Sequence, residues 1–269
     1  MGPAATHCRS GGAARLLATL AVAAWLRPSG AGGQEPFAAG RSWEVGVGVA
    51  GIVHRDDVAS PMRYGGWAPL AQVGYRREGP SGGLEVRAGA TGGNLTSAIT
   101  EEGLPRQSAL RGWVEAEYLR VVRGRSGRTR LLAGAECRLA ASTHRHYYAD
   151  PGRSGARFAF LSAALAPAAG FEHRVGSGGV LSAHLSVAAL AVVGRPYSDV
   201  RLLARSGLPV RAVTLDGYRA VGLAARYAVR VGRRARLSIG YRLRVERLDD
   251  AQPDRAATQS ATLAAALGT

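Results

Sequence analysis

Residues 235–246 read Ala-Arg-Leu-Ser-Ile-Gly-Tyr-Arg-Leu-Arg-Val-Glu, an alternation without a fault. Leu237, Ile239, Tyr241, Leu243 and Val245 share one parity; Arg236, Ser238, Gly240, Arg242, Arg244 and Glu246 share the other. Successive side chains of a β-strand point to opposite faces, so this segment is a strand with one apolar and one charged face.

Working outward from it, nine further segments read as strands, all but 158–174 alternating: residues 42–53, 69–76, 84–91, 110–122, 129–141, 158–174, 180–193, 218–231 and 256–269. The segment at 158–174 is apolar or small on both faces, and Pro167, which cannot donate to a ladder, predicts a bulge or bend there. Tight turns built from Gly, Ser and Pro close alternate connections, at 78–83, 123–128, 175–179 and 232–234. The other connections read as long polar loops, at 54–68, 92–109, 142–156, 194–217 and 249–255. No helical period of comparable length occurs.

The N-terminus has the pattern of a secretory signal: Arg9 and Arg15, an apolar run over 16–26, then the small residues Ala31 and Gly33 ahead of a cut before Gln34. The domain reading is therefore 1–33 signal peptide, 34–41 lead-in and 42–269 barrel. Loss of Arg9, Arg15 and Arg27 takes the formal charge from +16 to +13. Cys8 leaves with the signal, Cys137 remains alone, and an exported chain with one cysteine has no internal disulfide framework. All the basic residues are Arg, with no Lys, which reads as compositional bias; with no recognition-helix pattern, nucleic acid is not expected as a partner.

About ten alternating segments of roughly ten residues, with short and long connections in turn, resemble bacterial outer-membrane β-barrel proteins over residues 42–269. The resemblance implies an all-β, closed, antiparallel up-and-down transmembrane barrel of about ten strands, with eight and twelve as the neighbouring even counts. It also implies export to the outer membrane, contact with its lipid and lipopolysaccharide, and the barrel-assembly machinery as a partner. One departure is the C-terminus, Ala266-Leu267-Gly268-Thr269, where such barrels commonly end on an aromatic residue. The alternative of a secreted soluble β-sandwich would put the apolar parity in a core, but these positions are mostly Ala, Val and Leu with few Phe.

In a barrel the charged parity turns inward. The expected lumen network is Glu44, Glu85, Arg87, Arg111, Glu115, Glu117, Arg130, Glu136, Arg138, Arg226, Arg230, Arg236, Arg242, Arg244 and Glu246, with Arg76 beside them. A ten-stranded lumen is narrow enough for long side chains to fill, so a paired, plugged interior is expected in a structural or ligand-binding barrel. A small anion-preferring pore is the alternative. Catalysis has thin support: His184-Leu-Ser186 resembles the pairing of outer-membrane lipid A deacylases, but lies on the inward parity. His144 and His146 with Asp150, and Asp56 with Asp57, lack the Asp-x-His element of omptin proteases, which also have ten strands. No catalytic residue, cofactor or metal is assigned.

Overall fold

A computed structural model describes residues 40–56, 60–97, 106–125, 128–147, 157–176, 178–195, 210–232, 234–249 and 253–268. The signal sequence and its cut site lie outside them. Twelve strands occur: β1 (Gly40–Asp56), β2 (Ser60–Gly79), β3 (Gly82–Ser97), β4 (Arg106–Arg125), β5 (Thr129–Tyr147), β6 (Arg157–Val175), β7 (Gly179–Val187), β8 (Leu190–Gly194), β9 (Val210–Thr214), β10 (Tyr218–Val231), β11 (Ala235–Leu248) and β12 (Asp254–Gly268). Ten of them form a closed antiparallel ring, β1 to β7 followed by β10, β11 and β12, which pairs back onto β1. The short β8 and β9 are additional to the ring: β8 continues the pairing with β6 beyond β7, and β9 pairs with β8. No helix occurs among the described residues.

The ring turns the apolar parity outward. Trp43, Val45 and Val47 are 59, 65 and 62 % exposed, and Val73, Val114, Leu139, Leu165, Leu185, Leu223, Leu237 and Leu263 are exposed with them. A continuous apolar exterior is the wrong surface for water and the right one for lipid, and closure pairs the backbone that lipid cannot solvate. Aromatic side chains, Trp43, Tyr75, Tyr118, Phe171 and Tyr227, collect on this face toward the tight-turn end, where Trp43 and Tyr75 touch with ring centroids 5.1 Å apart. Tight turns place Gly176 and Gly232 at φ 64° and 74°, a backbone that other residues adopt at a cost.

Cys137 is an exposed residue on this outward face, paired across the sheet with Ala116 and Leu165. In a Cys8→Ser chain reconstituted in vesicles, it should react with a lipid-soluble maleimide and resist a charged thiol reagent. Rapid labelling by the charged reagent would place the band in water.

The strands outrun the sequence expectation. β1 continues to Asp56 and β2 begins at Ser60, so most of the expected 54–68 loop is strand; β3 and β4 likewise absorb much of 92–109, and β5 carries on to Tyr147. At about 3.3 Å per residue and a tilt of roughly 40°, the 19 residues of β5 rise roughly 48 Å, about twice an apolar band of about 25 Å. The upper halves stand clear of that band and contain their own apolar cluster: Ala50, Ile52, Tyr64, Ala68, Leu70, Leu95 and Ala109.

The bulge or bend expected at Pro167 falls elsewhere. β6 runs unbroken through Pro167, and the irregularity is on its neighbour, between β7 and β8 at Ala188 and Ala189. Ala168 pairs with Ser186 and Leu165 with Leu190, a one-residue slip across the proline. Pro167 has no N–H to offer, so the partner strand loses its register where that bond is missing.

Candidate functional site

The inward parity converges on the barrel axis. Glu115, on β4 and 4 % exposed, accepts from Arg87 Nη2 of β3 at 2.7 Å, from Arg138 Nη1 of β5 at 2.7 Å and from Arg242 Nη1 of β11 at 3.2 Å. Arg244, also on β11, reaches Glu136 of β5 at 2.8 Å and Glu246 on its own strand at 2.9 Å. Glu246 in turn pairs with Arg111 of β4. These links join β4 and β5 to β11 across the lumen, strands that are not neighbours in the ring.

Nearer the tight turns, Arg87 also meets Glu85 at 2.9 Å, and Arg226 of β10 pairs with Glu44 of β1. Glu117 accepts from His184 Nδ1 at 2.7 Å. Arg130 donates through Nε to Glu172 at 3.1 Å. Arg236 reaches Glu78 at 3.1 Å, and Arg230 lies opposite Arg236 in the β10–β11 ladder. Two members of this lattice escape sequence reading. Glu172 joins Arg130 to Arg76, which it meets at 2.8 Å, and Glu78 joins Arg76, at 2.7 Å, to Arg236. Glu172 sits on the segment whose two faces look alike in sequence, and Glu78 at the start of a turn. Their signal is parity alone, since both share the inward phase of their strands.

Glu115, Glu117 and Glu136 bring carboxylate oxygens within 4.8 Å of one another. Arginines and a histidine from other strands meet each of the three, so this cluster is an acid core inside a basic shell. Arg138 also lies over the Trp113 ring, 5.5 Å from its centroid, a cation–π contact that packs one wall. Trp113 packs close against Gly89, where a Cβ would stand 2.5 Å from the ring. The gap left beside Glu115 is about 70 Å³, room for a few waters.

A second cluster lies inside the barrel toward its long-loop end. His144 and His146 were expected in a loop; both are inward residues of β5. His54 of β1 donates through Nε2 to the Asp254 carboxylate of β12 at 3.0 Å, and its ring stacks on His144 at 4.0 Å. The Gln107 amide nitrogen bridges His54 Nδ1 at 3.1 Å and His146 Nε2 at 3.0 Å. Tyr64 and Phe158 pack edge-on against His146.

Chemically this cluster is a hydrogen-bonded network. A general base needs a ring nitrogen facing its substrate. His54 has both nitrogens engaged, one by a carboxylate and one by an amide. Ser142 Oγ and His144 Nε2 are 3.2 Å apart, a nucleophile–base distance, but His144 Nδ1 has no hydrogen-bond partner to orient the ring. The dyad is incomplete. His184 is held by Glu117, and Ser186 is buried on the same inward face, away from lipid. The expected Asp57 and Asp150 lie outside the described residues, as does the side chain of Asp56.

No protein-family model and no curated protein matches the chain. Solved structures do. The outer membrane protease OmpT from Escherichia coli aligns with a TM-score of 0.54 at 9 % identity, covering 90 % of this chain and 99 % of that one. The translocator domain of the autotransporter NalP from Neisseria meningitidis aligns at 0.44 and 8 % identity over 95 and 94 % of the two chains. Ail, the attachment invasion locus protein of Yersinia pestis, aligns at 0.36 and 12 % identity over 86 and 99 %. The chain folds as a bacterial outer-membrane β-barrel.

Proposed function

We propose that the protein is an outer-membrane barrel with a closed lumen, serving a structural or ligand-binding role at its loop end rather than conducting solute. The observation that carries this reading is the set of ion pairs running across the lumen, from Glu115 to Arg242 and from Glu136 to Arg244. Such pairs lock opposite walls together, and any solute path along the axis would have to break several buried charge-assisted bonds at once. The network of His54, Gln107, His144 and His146 lies above them inside the same barrel.

Planar-bilayer recording tests it. Purified protein whose mobility on unheated gels shows a folded barrel should insert without stable unitary current steps. Steps with a reversal potential favouring anions would instead make it a small anion pore, the outcome that net positive lumen charge would give.

A further inference from the structure

Above the apolar band the outward face of five neighbouring strands turns from apolar to basic. On β1 the outward run Trp43, Val45, Val47, Val49, Gly51 and Val53 ends at Arg55. On β2 the run from Tyr75 through Trp67 and Gly65 ends at Arg63; on β12, from Leu267 to Ala257, at Arg255; on β11, from Leu237 to Val245, at Arg247; on β10, from Val229 to Val221, at Arg219. The register sets these arginines side by side. Arg63 is directly opposite Arg55, Arg55 opposite Arg255, Arg255 opposite Arg247, and Arg247 opposite Arg219. All five are exposed. They form one row across five consecutive strands, roughly 19 Å long at a strand spacing of about 4.8 Å.

Like charges directly opposite one another on neighbouring strands repel. Asp249 relieves one end, meeting Arg247 at 2.5 Å and Arg219 at 4.0 Å. Asp254, next to Arg255 in the chain, is turned inward onto His54. The row also has a fixed height. Twelve residues separate Trp43 from Arg55, which at about 3.3 Å each and roughly 40° of tilt is ~30 Å, the far edge of the band that begins at the aromatic belt. At the opposite edge Arg41 and Arg77 face each other in the same outward way.

We propose that this row is a binding site for the phosphate groups of lipopolysaccharide in the outer leaflet. A guanidinium presents paired N–H donors matched to phosphate oxygens, and a row along the lipid–water boundary suits a headgroup with more than one phosphate whose acyl chains lie against Val53, Trp67, Val221 and Val245. The inference rests on the outer-membrane reading above. Compositional richness in arginine supplies the residues; the register supplies the alignment.

The test uses full-length barrel in phosphatidylcholine vesicles, with binding of purified lipopolysaccharide measured beside its dephosphorylated form and inorganic phosphate. Arg55→Gln/Arg63→Gln/Arg255→Gln should bind lipopolysaccharide about a hundredfold more weakly, at roughly fivefold per arginine near a charged lipid surface. Arg41→Gln/Arg77→Gln should stay within about threefold of wild type, and wild type should lose the dephosphorylated form as the triple variant loses the intact one. Unchanged affinity in the triple variant overturns the proposal, as does an equal loss in the Arg41/Arg77 control, which means diffuse charge attraction. Displacement by inorganic phosphate at matching concentration also overturns it, assigning the row to free anion. Heat-modifiability and vesicle insertion are read on every sample, so failure of the membrane reading shows as absent insertion and failure of this one as insertion without phosphate preference.

Discussion

Glu115→Ala is expected to destabilise the barrel by about 3–5 kcal/mol, the cost of stranding buried charge by removing its partner. The carboxylate is 4 % exposed and is shared by Arg87, Arg138 and Arg242. Arg87 keeps Glu85 at 2.9 Å, and Arg138 keeps the face of Trp113. Among the described residues Glu115 is the acid that Arg242 pairs with, and its loss leaves three guanidiniums converging on one another. Urea unfolding in vesicles, followed by tryptophan fluorescence and by the heat-modifiable band, measures the effect.

The comparison that gives this result meaning is the triple variant Glu115→Ala/Arg138→Met/Arg242→Leu. Removing the charges together eliminates the stranded cations, so the triple variant should recover a substantial part of the loss despite carrying more substitutions. Were the lumen a water-filled channel, each charge would be solvated separately and Glu115→Ala would cost about 0–1 kcal/mol, as for an exposed pair. A value that small would remove the plug from the proposed function, even with the barrel itself intact.

How far the fold could be read from sequence follows the solvent. Within the band, lipid demands apolar residues outside while the lumen accepts charge. That is why residues 235–246 and their counterparts alternate so cleanly and the ten ring strands are all visible. Above the band water replaces lipid, and the two parities exchange roles. On β2 the inward series passes from Gln72 to Leu70, Ala68 and Tyr64, while the outward series passes from Val73 and Ala71 to Arg63. On β3 the inward series passes from Glu85 and Arg87 to Thr91 and Leu95, while the outward one ends in Asn94 and Thr96. A phase exchange inside one strand looks like loss of periodicity, so those upper halves read as loop, and His144 and His146 with them.

The lumen was legible in membership but not in pairing. Parity assigns Glu115, Arg138 and Arg242 to the interior, yet nothing in sequence puts β11 opposite β4 and β5; closure of the ring and its strand stagger do that. The histidine network was the least legible part. His54, Gln107, His146 and Asp254 come from β1, β4, β5 and β12, and each looks like an isolated polar residue at the edge of a loop. The same holds for the arginine row, which exists only once five registers are known.

Leu263→Arg tests which side of the wall faces lipid. Leu263 is 61 % exposed, at mid-height on β12 between Val47 of β1 and Ile239 of β11. In a water-soluble barrel an arginine at so open a position would change stability by no more than about 0.5 kcal/mol. In a bilayer the same side chain enters hydrocarbon near the midplane, with the apolar Val47 and Ile239 beside it, and should cost about 2–4 kcal/mol. The variant should therefore unfold at markedly lower urea in vesicles, while Arg255→Leu, at the water boundary of the same strand, should not. Equal midpoints for wild type and Leu263→Arg in vesicles would mean that the apolar parity, despite facing outward, is not solvated by lipid.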